Sequence, residues 1–139
     1  MSDDRLLAVL PAHFAPPKGY ANGVITTGRL LHVGGQVGWE PATGQFHHRD
    51  LVGQFGQCLD NILAVVEAAG GTARDIARMT VYVTDLAAYR AAQKALGAVW
   101  RPRLGRHFPA MALVGVTGLV EPDAMVEIEA VAVLPEVSP

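Results

Sequence analysis

Apolar and polar residues alternate along 126–134. Val126, Ile128, Ala130, Ala132 and Leu134 fall on one face, and Glu127, Glu129, Val131 and Val133 on the other. The pattern predicts a strand with one wholly apolar face and one half-polar face. An ionised carboxylate buried without a partner takes up a proton, so each glutamate there requires solvent, a donor or a cation. A solvated sheet face is the ordinary explanation for both. Farther back the period changes: Leu51, Phe55, Cys58, Leu59, Ile62, Leu63 and Val66 follow helical spacing, with Asp50 placed to cap the start and Gly70-Gly71 to stop the end.

Around these two segments the weaker patterns complete a coarse map. Three prolines over 11–17 exclude regular structure, and glycines at 19 and 23 lead into a strand over 24–27. Gly28-Arg29 reads as the turn of a hairpin whose second strand covers 30–37, with Gly34 and Gly35 permitting close approach of another group. Thr72 to Asp75 has the spacing of a capping box, and a strand over 77–84 follows. A second helix is predicted over 86–100, ended by Arg101-Pro102-Arg103, and strands over 112–119 and 126–134 flank the Glu121-Pro122-Asp123 turn. The order is β-β-α-β-α-β-β, an α+β arrangement forming a single domain over 19–139 behind an N-terminal extension over 1–18.

Composition narrows the function classes. Half of the 139 residues are hydrophobic and the mean hydropathy is +0.25, more apolar surface than a small domain readily hides, so a homo-oligomer is expected. Lys+Arg number 11 against 13 Asp+Glu, which gives no global attraction to nucleic acid or anionic membrane. The apolar run Leu6 to Leu10 is too short for a signal or a span, which points to a cytoplasmic protein. A single cysteine, Cys58, excludes an internal disulfide and a cysteine-rich metal site.

Few residues offer chemistry of their own. Serine occurs only at Ser2 and Ser138, near the ends, which argues against a serine-nucleophile hydrolase. Cys58 lies on the apolar stripe of the first helix, the usual setting of a structural thiol. His47 and His48 are adjacent, a spacing that rarely serves one metal, and no metal site is expected. His32 shares the face of Gly34, and Arg101, Arg103, Arg106 and His107 form the one basic cluster, most simply a solvated helix end. No phosphate-binding loop is present in the sequence, since Gly34-Gly35 precedes no helix and lacks the lysine.

Six short segments nevertheless occur in a telling order: Gly19-Tyr20-Ala21-Asn22-Gly23, Val33 to Gly38, Asn61 through Gly71, Thr80 to Asp85, Pro109-Ala110, and Val126 to Ala130. Together they resemble the RidA (YjgF/YER057c/UK114) family over roughly 19–134. The resemblance implies a chorismate-mutase-like α+β fold, a homotrimer with a central barrel and a ligand pocket at each subunit interface. It also implies hydrolysis of imines and enamines such as 2-aminoacrylate, giving a 2-oxo acid and ammonia without a metal or other cofactor.

Carried over position by position, the resemblance implies Glu127 as the carboxylate that activates or positions water. Tyr20, Gly34, Gly35, Gln93, Met111 and Leu113 become the ligand-binding positions. Met111 stands where the family has the arginine that clamps the substrate carboxylate, and methionine can neither pair with a carboxylate nor donate a hydrogen bond. Leu113 replaces a frequent cysteine, Gly34 a serine, and Gln93 an asparagine.

The leading expectation is therefore a trimer that binds a small, less acidic metabolite and hydrolyses it with water activated by Glu127. Its alternatives are the imine/enamine deaminase and a non-enzymatic binding or chaperone-like trimer. Arg103 or Arg106 is a candidate replacement for the missing charge. Although family members carry ribonuclease labels, balanced charge and the lack of an aromatic-basic stripe give no reason to expect RNA as a partner.

Overall fold

The computed structural model describes residues 3–137, so Ser2 and Ser138 lie outside the described residues. Six strands and three helices follow in the order β1 (Leu6–Val9), β2 (Gly23–Thr26), β3 (Arg29–Val37), α1 (Leu51–Ala68), β4 (Ile76–Val83), α2 (Leu86–Ala91), α3 (Gln93–Leu104), β5 (Ala110–Gly115) and β6 (Val126–Leu134). A short 3-10 turn, Ala73–Asp75, precedes β4. The larger sheet has the order β3-β6-β4-β5, and β1 and β2 form a separate two-stranded sheet.

β6 lies inside the sheet, antiparallel to both β3 and β4, and the face carrying Val126, Ile128, Ala130, Ala132 and Leu134 is wholly buried. Val126, Ile128, Ala130 and Ala132 are buried with Met79, Val81 and Val83 of β4 beneath Phe55, Cys58, Leu59, Ile62 and Val66 of α1. α1 begins where its sequence predicts: a carboxylate oxygen of Asp50 accepts from Gly53 N at 3.1 Å. It ends at Gly70, whose φ of 90° suits glycine, as Gly71 N donates to Val66 O at 2.9 Å.

Two buried amides tie α1 to the strand ends beside the site. Gln54 donates to His48 O and Asp123 O and accepts from Met125 N, at 3.1, 2.9 and 2.8 Å. Asn61 donates to Val37 O and Trp39 O at 3.1 and 3.0 Å. Each buried amide is thereby satisfied, and the end of β3 and the start of β6 are fixed to one helix.

Four expectations need correction. Residues 6–9 form a strand, because β1 pairs antiparallel with β2 from Leu6↔Thr26 to Val9↔Gly23. The predicted hairpin between β2 and β3 does not form. Gly28, at φ 132°, turns the chain from one sheet into the other, and β3 pairs with β6 instead. The second helix is interrupted at Ala92, and α3 runs through Pro102 to Leu104 before Gly105, at φ 60°, ends it. Proline is tolerated there because only one backbone bond of the last turn is lost. Finally, β5 covers Ala110–Gly115, starting and stopping earlier than expected, in parallel pairing with β4.

Candidate functional site

The two glutamates of β6 have different surroundings. Glu127 is half-buried, paired in register with Val37 on one side and Tyr82 on the other. Glu129 is exposed and accepts a hydrogen bond from the Tyr82 hydroxyl at 2.8 Å. That bond, strengthened by the nearby negative charge, raises the Tyr82 pKa above its usual value. Glu129 also lines a cavity of about 390 Å³ on the sheet face away from the helices, with His32, Gly34, Arg78 and Thr80.

Above Glu127 the pairing of β3 with β6 shifts register between Val33 and Gln36, which places Gly34 and Gly35 in a bulge. A Cβ on Gly35 would stand 2.9 Å from Glu127 Cδ, so only glycine leaves the carboxylate its present position. No ion pair reaches Glu127 among the described residues. An accessible carboxylate beneath open backbone can hold a water and take its proton.

A second group gathers on the helix side of the sheet. Met111 and Leu113 pair in register with Met79 and Val81, and both are half-buried against the core. Met111 and Gln93 line one cavity of about 280 Å³ between α3 and the start of β5, together with Lys18, Trp100, Arg101 and Phe108. Trp100 and Phe108 stack at 6.0 Å with an interplanar angle of 11° and make its apolar wall. Tyr20 is 42% exposed and lines a neighbouring cavity with Arg106, His107 and Phe108. It is held near β5 because Ala21 N donates to Pro109 O at 3.0 Å.

Within one chain, then, Gly34, Gly35 and Glu127 form one cluster, Gln93, Met111 and Leu113 a second on the opposite face of the sheet, and Tyr20 stands beside the second. Arg103 is engaged elsewhere: it holds Asp60 through two bonds of 2.7 and 3.1 Å and donates to Val99 O at 2.8 Å. Arg106 lines the cavity of Tyr20. Not directly legible in the sequence are the sharing of one cavity by Arg101, Lys18 and Met111 and the role of Gln54 and Asn61 as the amides that fix the strand ends near Glu127. The four-residue steps from Gln93 to Gly97 to Arg101 are the signal in the sequence for the first. Nothing local marks the other two.

Burial pushes the Cys58 thiol up to about 12, with the Glu127 charge a second cause. That places Cys58 among inert structural thiols. Among the described residues no group of three His, Cys, Asp or Glu side chains is arranged to hold a metal, and no helix is long and apolar enough to cross a membrane.

Residues 11–134 match the family model described as Endoribonuclease L-PSP. The chain belongs to this family, also known as RidA/YjgF. The 2-iminobutanoate/2-iminopropanoate deaminase of Escherichia coli is 37% identical over 123 residues, covering 88% of this chain and 91% of that protein. The crystal structure of YyfB from Yersinia pestis, a Rid family protein of unknown function, superposes with a TM-score of 0.83 at 32% identity, over 94% of this chain and 99% of that one. The E. coli protein TdcF, solved with bound serine, gives a TM-score of 0.67 at 28% identity, over 96% of this chain and 97% of that one.

Proposed function

We propose that this family member hydrolyses imines, and enamines after tautomerisation, in pockets completed between the subunits of a homotrimer. The observation that carries the reading is the packing of Gly35 over Glu127, which keeps an accessible, unpaired carboxylate next to open backbone. Glu127 removes a proton from water as the water oxygen bonds to the imine carbon. The C=N pair moves to nitrogen, the C–N bond then breaks, and a carbonyl compound and ammonia leave with the proton returned. The balance requires no oxidant or reductant.

Support for a shared pocket comes from the separation of the two clusters. Met111 and Glu127 lie on opposite faces of one sheet, so a ligand touching both positions meets Met111 of one copy and Glu127 of another. Much of the sheet face opposite the helices is open, and it carries Leu30 and Val114, 49% and 41% exposed, which suits burial in the centre of a trimer. Similarity to an imino-acid deaminase and to a protein with bound serine favours a small amino-acid-derived substrate.

Met111 favours a second reading in which the ligand is less acidic than a 2-imino acid, since the position of the family's arginine is apolar. Ammonia release from 2-iminopropanoate and 2-iminobutanoate tests the first. Turnover is expected, and Glu127→Gln should lower it by about a hundredfold or more while leaving binding of the product 2-oxo acid in place. Absence of turnover in the unaltered protein, or full activity in the variant, rejects the reading.

A further inference from the structure

Gln93, Gly97 and Arg101 are spaced four residues apart on α3 and therefore stack along one face of the helix, the face that lines the cavity beside Met111. Gly97 leaves a gap in that wall. A Cβ built there meets nothing nearer than Arg101 Nη2, at 3.9 Å, so the guanidinium lies alongside the cavity. Lys18 lines the same cavity, and among the described residues no aspartate or glutamate does. Neither Arg101 nor Lys18 enters an ion pair among the described residues, whereas Arg103 is locked onto Asp60.

A cavity with two unpaired cations, no acid and an apolar wall attracts an anion with a short apolar body. We propose that Arg101, assisted by Lys18, binds the substrate carboxylate in this chain, so that the clamp is supplied by α3 and the segment before Tyr20 and not by position 111. The ligand class is a small 2-imino or 2-oxo acid whose side chain rests on Met111, Trp100 and Phe108. The inference takes the identity of the ligand from the imine-hydrolase reading. Its geometric basis, the two cations that line one cavity with Met111, is independent of catalysis.

Calorimetric titration with 2-oxobutanoate and with its uncharged amide, on the intact protein and on Arg101→Met, Arg101→Lys and Lys18→Met, tests the clamp. The protein should bind the acid in preference to the amide. Arg101→Met should weaken acid binding about tenfold and leave the amide unchanged, with Lys18→Met smaller in the same direction and Arg101→Lys retaining part of the affinity. Acid binding unaltered by Arg101→Met, equal loss of acid and amide, or no acid binding by the intact protein overturns the proposal. Imine turnover on the same proteins separates the two readings. Acid binding that depends on Arg101 without any imine hydrolysis keeps the clamp and removes the hydrolase. Hydrolysis with an unchanged KM in Arg101→Met does the reverse.

Discussion

Gly35 lies directly against the carboxyl group of Glu127, two strands joined at a bulge so that a methyl on the first would stand 2.9 Å from Cδ of the second. The contact sets the position of the one carboxylate assigned to chemistry. It also explains why a glycine interrupts the β3–β6 ladder there.

Gly35→Ala should therefore act on catalysis more than on stability. The new methyl meets the far end of a flexible side chain, which can swing aside, so unfolding in urea should shift by less than about 1 kcal/mol. Because Glu127 is displaced from its water, the rate of imine hydrolysis should fall about tenfold or more. Activity equal to that of the unaltered protein would show that the position of Glu127 does not matter.

Arg5 joins the N-terminal strand to the main body. Its guanidinium donates to Asp75 at 2.8 Å and to Val133 O at 2.6 Å, and Asp75, 3% exposed, accepts a further bond from Thr72 N at 2.7 Å. Arg5→Ala leaves a buried carboxylate without its cation and should cost about 2–4 kcal/mol in chemical denaturation. Asp3, which also bonds Arg5, has a side chain 58% exposed and screened by solvent, so Asp3→Ala should cost far less than Arg5→Ala. Equal effects of the two substitutions would contradict this assignment.

Alkaline pH should destabilise the fold through Cys58. In the unfolded chain the thiol ionises near its ordinary value of 9.0, while burial in the folded protein holds the proton to about 12. The unfolded state therefore loses a proton that the folded state retains, and stability falls as pH rises from 9.0 toward 12, by at most about 1.4 kcal/mol per pH unit. Burial raises the Tyr89 hydroxyl in the same direction. The check is thermal denaturation of Cys58→Ala across this range, which should show a shallower decline. Alkylation of native Cys58 by iodoacetamide at pH 8, at the rate of a free thiol, would refute the burial argument.

Much of the fold is legible in local periodicity. The alternation of β6, the helical stripe of α1 and its Asp50 and Gly70 boundaries are properties of neighbouring residues, and the structure bears them out. β1 is not legible in this way, because four short residues become a strand only through pairing with β2, and the β2–β3 hairpin fails because Gly28 sends β3 to a partner far along the chain. The break at Ala92 and the passage of α3 through Pro102 depend likewise on packing against α1.

The same division holds for the candidate site. Local pattern alone places Glu127 and Glu129 on one half-polar face, and the resemblance to the RidA family alone marks the uncharged Met111 as standing where that family has arginine. Only strand pairing and helix packing bring Gly35 against Glu127 and Tyr82 to Glu129, set Met111 across the sheet from Glu127, and place Arg101 and Lys18 in one cavity with Met111. Periodicity assigns a side chain to a face; strand order and helix packing, which are long-range, assign its neighbours.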